Sequence, residues 1–165
     1  ISAIPTSGDT EVMLITRRGK ALRIKENSVR YMGRVSTGIK GMKLLEGDEI
    51  AAAVKVDTEK AIILLTEKGV GKRISPEYFS VHGRGTAGQR IFGNTDGKGE
   101  IIGAINAKEN DEVVCMTSQG KTLRFKASEI KEQGQSASGV KIVTIKEPDY
   151  LVGIDVVQDK DEENK

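Results

Sequence analysis

Thr16-Arg17-Arg18-Gly19-Lys20-Ala21-Leu22-Arg23 is the stretch on which the fold turns. It returns as Thr66-Glu67-Lys68-Gly69-Val70-Gly71-Lys72-Arg73 and again as Thr117-Ser118-Gln119-Gly120-Lys121-Thr122-Leu123-Arg124. Gly19 and Gly69 are 50 residues apart, and Gly69 and Gly120 are 51 apart. A second marker keeps the same step: Gly33-Arg34 through Gly38, Gly83-Arg84 through Gly88, and Gly134-Gln135 through Gly139. Two markers on one period of roughly 50 residues indicate stacked supersecondary units such as propeller blades. Function is then to be sought on a surface built of repeated parts.

Outward from each glycine the pattern is a hairpin. Val12 to Thr16 is β-rich, Arg17-Arg18-Gly19 turns the chain, and Gly19 is free to take positive φ. In Lys20-Ala21-Leu22-Arg23-Ile24, Leu22 and Ile24 point one way while Arg23 and Lys25 point the other. The pattern recurs from Ile62 to Ile74 and from Val113 to Phe125. After each hairpin comes a polar stretch with a short helical or turn element (25–31, 75–81, 126–131), then the basic glycine loop, then an apolar closing strand (50–56, 100–106, 151–157). Repeats are expected over 11–57, 58–111 and 112–158, packed as a single domain spanning 1–158, with 159–165 an acidic disordered tail. The fold class expected is all-β, with propeller-like repeats, here about three blades, each hiding its apolar faces against its neighbours.

The 165 residues carry a net charge of only +2, but unevenly. Residues 11–57 hold ten Lys/Arg against six Asp/Glu, residues 58–111 eight against seven, and 112–158 six against six. A locally basic face with an acidic tail points to a polyanionic partner. The plainer reading of the same charge is solubility and protection of sheet edges. Cys115 is the single cysteine, so there is no internal disulfide, and a buried reduced thiol is expected. No CxxC or Cys/His spacing suggests a metal, and no apolar run nears the roughly 20 residues of a membrane span. No signal-peptide pattern is seen, and a cytoplasmic location is expected.

With the repeats in place, the chain resembles the C-terminal DNA-wrapping domain of bacterial DNA gyrase A and, less closely, that of the corresponding topoisomerase IV polypeptide. The resemblance rests on Thr16 to Lys20, on Tyr31-Met32-Gly33-Arg34, on Gly38-Ile39-Lys40-Gly41-Met42-Lys43-Leu44, and on Gly47-Asp48-Glu49-Ile50. It covers about residues 11–158. It implies a β-pinwheel, a disc of about six blades that exchange strands and wrap duplex DNA around a basic rim. In a parent ATP-dependent type II topoisomerase this presents DNA to the strand-passing core and makes supercoiling directional. The implied partners are duplex DNA, the remaining domains of gyrase A, and gyrase B, in the bacterial nucleoid. Two features depart from the pattern. Only three repeats are present, and the glutamine-led gyrase box is absent; Gln89-Arg90-Ile91-Phe92-Gly93 shares only its first letters.

Wrapping requires cations repeated along a curved path, since phosphate contacts release counterions without reading bases. The repeat register selects Arg17, Arg18, Lys20, Arg23, Arg34, Lys40 and Lys43 in the first repeat. It selects Lys68, Lys72, Arg73, Arg84 and Arg90 in the second, and Lys121, Arg124 and Lys141 in the third. Other signals weigh less. Gly83 to Gly88 fits GxGxxG by letters, but lacks the strand before and helix after that a dinucleotide site needs. Arg30-Tyr31 resembles the pair at topoisomerase catalytic tyrosines, yet Tyr31 aligns with Val81, so packing is the better reading. His82 has no acid or nucleophile partner, and Asp48-Glu49 and Asp111-Glu112 read as turn and solubility residues at strand entrances. No catalytic, metal or cofactor residue is expected. The alternative to DNA wrapping is a protein-interaction propeller, whose mark would be an exposed apolar patch.

Overall fold

The computed structural model describes residues 3–93 and 95–157; the tail expected at 159–165 lies outside them. The chain is all-β apart from 3-10 turns at Glu26–Ser28, Pro76–Tyr78 and Ala127–Glu129. The strands are β1 (Glu11–Thr16), β2 (Lys20–Lys25), β3 (Ile50–Lys55), β4 (Ala61–Thr66), β5 (Val70–Ile74), β6 (Gln89–Arg90), β7 (Ile101–Ala107), β8 (Glu112–Thr117), β9 (Thr122–Lys126), β10 (Val140–Lys141) and β11 (Leu151–Val157).

They form three antiparallel sheets ordered β3-β1-β2-β6, β10-β5-β4-β7 and β11-β8-β9. Each repeat supplies a hairpin and a closing strand to its own blade. The two-residue strands β6 and β10 cross over: β6, from the second repeat, pairs with β2 of the first, and β10, from the third, pairs with β5 of the second. These brief strands fall where the sequence shows only a glycine-rich basic loop.

The hairpin turns explain the repeated threonine. The hydroxyl of Thr16 accepts from Lys20 N at 3.1 Å, that of Thr66 from Val70 N at 3.2 Å, and that of Thr117 from Lys121 N at 3.2 Å. Gly19, Gly69 and Gly120 take φ of 84°, 78° and 77°, closing three-residue turns that other residues would strain.

Packing alternates by strand parity. Met13, Ile15 and Ala21 of the first blade bury against Ile62, Leu64 and Ile74 of the second, with Phe79, Ile91 and Phe92 sealing the junction. Ile63 and Leu65 on the opposite face of the second blade pack with Val113 and Cys115 of the third. The closing strands β3, β7 and β11 lie side by side. Small residues permit that approach: a Cβ on Gly103 would stand 2.9 Å from Ile154 Cγ2. The blades therefore converge on their closing strands, and β6 and β10 stand on the outer edge.

Residues 3–10 form no strand. They are tied down by Glu26, whose carboxylate accepts from the Thr6 hydroxyl and from Gly8 N and Thr10 N at 2.9 and 3.1 Å. These bonds, Thr6 first, hold its pKa below the usual glutamate value.

Candidate nucleic-acid interface

The fifteen cations singled out by the repeat register divide according to what holds them. Three are engaged in the fold. Lys72 is fully buried, and its Nζ donates to the carbonyls of Ile91 at 2.8 Å, Gln135 at 3.0 Å and Ala137 at 3.0 Å. Desolvation pushes its pKa down to about 8. Arg23, 15% exposed, pairs with Glu11 and donates from Nη1 to the carbonyls of Pro76 and Phe79, both at 3.1 Å. Arg73, also 15% exposed, lies 3.9 Å from Glu109. These side chains brace blade junctions, and Lys72 has no surface to offer a phosphate. Arg17 is half exposed and bridges Glu49 at 3.2 Å and Glu100 at 3.4 Å.

The others reach solvent. Arg18 is exposed on the first hairpin turn, with Nη1 donating to Glu46 O at 3.0 Å. Lys68 is exposed at the matching turn of the second repeat. On the outer edge Lys20, half buried, stands opposite exposed Arg90 in the β2–β6 ladder, and exposed Lys141 stands opposite Val70 in β5–β10. Lys121, just before β9, and Arg124, within it, are exposed, with Asp149 at 3.9 Å and Glu112 at 3.6 Å respectively. Arg34, Lys40 and Lys43 are exposed on the first glycine loop. That loop runs beside the second one: Gly85 N donates to Gly41 O at 2.6 Å and Lys43 N to Thr86 O at 2.9 Å. Exposed Arg84 is thereby brought close to Lys40 and Lys43.

Arg84 also has a structural task. Its Nε donates to Ser28 O at 3.1 Å, and Gln135 Nε2, one repeat later, donates to Tyr78 O at 2.8 Å. Both bonds tether a glycine loop to the 3-10 turn of the preceding repeat. The marker glycines serve the same crossing. Gly88 and Gly139 each have φ of 70°, and a Cβ there would meet Ala21 O at 2.4 Å or Gly71 O at 2.6 Å. The echo of Gly88 and Gly139 is the sequence signal of that close approach; Gly38 shares the positive φ, at 82°, with nothing within 4 Å of a Cβ there. Among the exposed cations outside the selected set, four recur in register: Lys25 with Lys126, and Arg30 with Lys131. Each pair is two repeats apart, and serines (Ser75, Ser80) replace both in the middle repeat, which hides them from a three-way comparison.

Asp48 and Asp111 hold turns before a strand, Asp111 Oδ2 accepting from Lys108 N at 2.7 Å, and Asp149, which the sequence reading did not single out, does the same. Asp48 Oδ1 accepts from Arg18 N and Glu49 N, and Asp149 Oδ1 from Gln119 N and Tyr150 N. Cys115 is a buried free thiol, and burial raises its pKa. No helix is long and apolar enough to cross a membrane among the described residues.

Comparison with known proteins is consistent across sequence and structure. The DNA gyrase A subunits of Salmonella typhimurium and of Escherichia coli K12 are each 34% identical to the chain, over 149 and 160 residues. These alignments cover 90% and 96% of the chain but only 17% and 18% of the relatives, so the chain spans under a fifth of their length. A solved DNA gyrase A C-terminal domain superposes with a TM-score of 0.84 at 29% identity, covering 90% of this chain and 51% of that one. The C-terminal domain of a DNA topoisomerase IV superposes at 0.85 with 24% identity over 93% and 48%, which speaks to fold alone. The family profile described as DNA gyrase C-terminal domain, beta-propeller, matches residues 10–57, 60–108 and 111–158 in turn, and the chain belongs to that family.

Proposed function

We propose that this chain binds duplex DNA without sequence preference and bends it along the outer edge of its blades, as the wrapping module of a gyrase-type type II topoisomerase. The observation that carries the reading is the division of the cations. Those that brace the junctions are sequestered, while Lys20, Arg90, Lys141, Lys121 and Arg124 stand on the outer strands and Arg34, Lys40, Lys43 and Arg84 on adjoining loops. We extend the set to Lys25, Arg30, Lys126 and Lys131. Bending DNA through a large angle costs several kcal/mol over a few helical turns, and repeated phosphate contacts offset that cost. In this reading the three repeats act as one domain. They work with the remaining domains of a gyrase A polypeptide and with gyrase B, in the bacterial cytoplasm on the nucleoid. The alternative, a protein-docking propeller, draws on a groove of about 820 Å³ beside the first blade, lined by Val12, Leu14, Ile24, Tyr31 and Met32.

The test is to relax closed circular DNA with the chain bound and to measure linking number, alongside affinity for linear duplex as a function of salt. Chiral wrapping gives a change in linking number that scales with bound protein and an affinity that falls steeply with salt. Binding indifferent to salt, or no duplex binding at low salt, refutes the proposal.

A further inference from the structure

We infer that Lys72 is a positioning residue for DNA: it pins the second glycine loop to the third, so that the cations carried by both lie along a single duplex path. This rests on the DNA-binding reading above and gives a buried lysine a part in it. Successive glycine loops run edge to edge, and two such joints are formed among the described residues. In the first, Gly85 N donates to Gly41 O at 2.6 Å and Lys43 N to Thr86 O at 2.9 Å. The repeat register carries Lys43 to Gly93 and Thr86 to Ala137, and in the second joint Gly93 N donates to Ala137 O at 3.0 Å. The same register carries Gly41 to Ile91, and there the chemistry changes. Gly41 O receives a backbone amide, whereas Ile91 O receives the ammonium of Lys72 at 2.8 Å.

The same ammonium donates to Gln135 O and Ala137 O, both at 3.0 Å. A lysine has three N–H donors, and here all three find carbonyls, one on the second loop and two on the third. Burying a charge is costly, and Leu22 and Leu123 hold the matching position in the other repeats. Three charge-assisted bonds offset that cost where one side chain can span two loops. Lys98 reaches Ser138 O at 3.1 Å from the turn before β7, which ties the third loop to the second blade. Lys72 ties loop to loop. The joint is also tight: a Cβ on Gly93 would collide with Ser136 O and Ser138 Oγ.

The pinned residues sit among the exposed cations. Ile91 directly follows Arg90, and Gln135 and Ala137 lie between Lys131 and Lys141. Lys72 is itself fully buried, so whatever it does for DNA it does through these loops. Phosphates follow one another at about 3.4 Å of helix axis on each strand. A slip of a few ångström between the loops therefore takes Lys141 out of step with a phosphate row that Arg90 already holds. Held rigidly, the two sets of cations bind as one ligand, the second contact gaining the effective concentration set by the first.

Lys72→Met keeps an unbranched chain and removes the donors. Without DNA at pH 7, hydrogen exchange should show Gly93 N losing protection about tenfold or more in this variant, while Gly85 N and Lys43 N stay as in the parent. On closed circular DNA, the change in linking number per bound chain should fall about twofold or more. Lys141→Ala should weaken duplex binding and make its salt slope shallower by about one in the parent, and should change neither in the Lys72→Met background. Ile74→Val, a core change on the same strand, controls for lost stability and should leave exchange at Gly93 and wrapping as they are. Unchanged exchange at Gly93, wrapping equal to the parent, Lys141→Ala acting equally in both backgrounds, or Ile74→Val reproducing the Lys72→Met losses would each overturn the inference. A parent that neither binds duplex nor shifts linking number refutes the DNA reading and the positioning role together, and is told apart because the failure lies in the parent.

Discussion

Replacing Lys72 by leucine, the residue at the matching position in the first and third repeats, separates two opposing effects at one buried site. The ammonium donates to three carbonyls drawn from both crossing loops, Ile91 on one side and Gln135 and Ala137 on the other. Ala137 O keeps a second donor, Gly93 N at 3.0 Å, so leucine leaves two carbonyls without this partner. At about 1–3 kcal/mol for each buried unsatisfied group, the loss is about 2–6 kcal/mol. Against it stands the cost of burying the charge. Moving the pKa from 10.5 to about 8 corresponds to about 3 kcal/mol at about 1.4 kcal/mol per pH unit. Near pH 7 the two largely offset, and the variant is less stable by about 1 kcal/mol. The sign at higher pH follows from proton counts. Between pH 8 and 10.5 the unfolded chain still holds the Lys72 proton while the folded chain has released it, so raising pH favours the folded state. The neutral amine retains two donors for the carbonyls. The parent should therefore gain up to about 3 kcal/mol over Lys72→Leu as pH rises through that window. Urea unfolding followed by far-UV circular dichroism at pH 7, 8.5 and 10 measures the difference, in which all other titrating groups cancel. A stability gap that stays flat across the window, or a leucine variant more stable than the parent at pH 10, refutes the reasoning.

Three further outcomes are expected. Gly139→Ala strains a φ of 70° and sets a Cβ 2.6 Å from Gly71 O, so it should cost at least about 2 kcal/mol in urea unfolding, and an unchanged midpoint would contradict the close crossing. Arg23→Ala breaks the Glu11 pair and leaves Phe79 O without this donor, while Pro76 O keeps Phe79 N at 3.1 Å, lowering stability by about 1–3 kcal/mol while leaving the salt slope of duplex binding unchanged; a slope shallower by about one would assign Arg23 to DNA instead. Cys115, buried with a raised pKa, should resist thiol reagents in the native protein at pH 8 and react on denaturation, and rapid native labelling would place it at the surface.

The hairpins, turns and closing strands were legible because alternation and the Thr-x-x-Gly turn are local signals. The crossing strands were not. Two residues such as Gln89-Arg90 carry no periodicity, and they become a strand only because β2 offers an edge. Which of the expected cations reach solvent was half legible for a related reason. Strand parity puts Lys72 on the side of Ile74 and Leu22, which are buried, yet its charge argues for solvent; three carbonyls from other repeats settle the conflict. Arg23 and Arg73 lie on the polar face of an isolated hairpin, but in the stack the neighbouring 3-10 turn or loop covers that face. Position in the repeat identified the cations, and position in the stack decided which of them meet water.

Lending a strand to the neighbour also separates the unit of inheritance from the unit of stability. A gene duplication that copies residues 58–111 copies β6, which belongs physically to the blade before it. Any newly inserted repeat must therefore arrive with a loop able to clasp a stranger and an edge able to be clasped. Arrays of this kind lengthen or shorten by whole steps only where both grips are kept, so blade number evolves as a sequence of compatible handshakes.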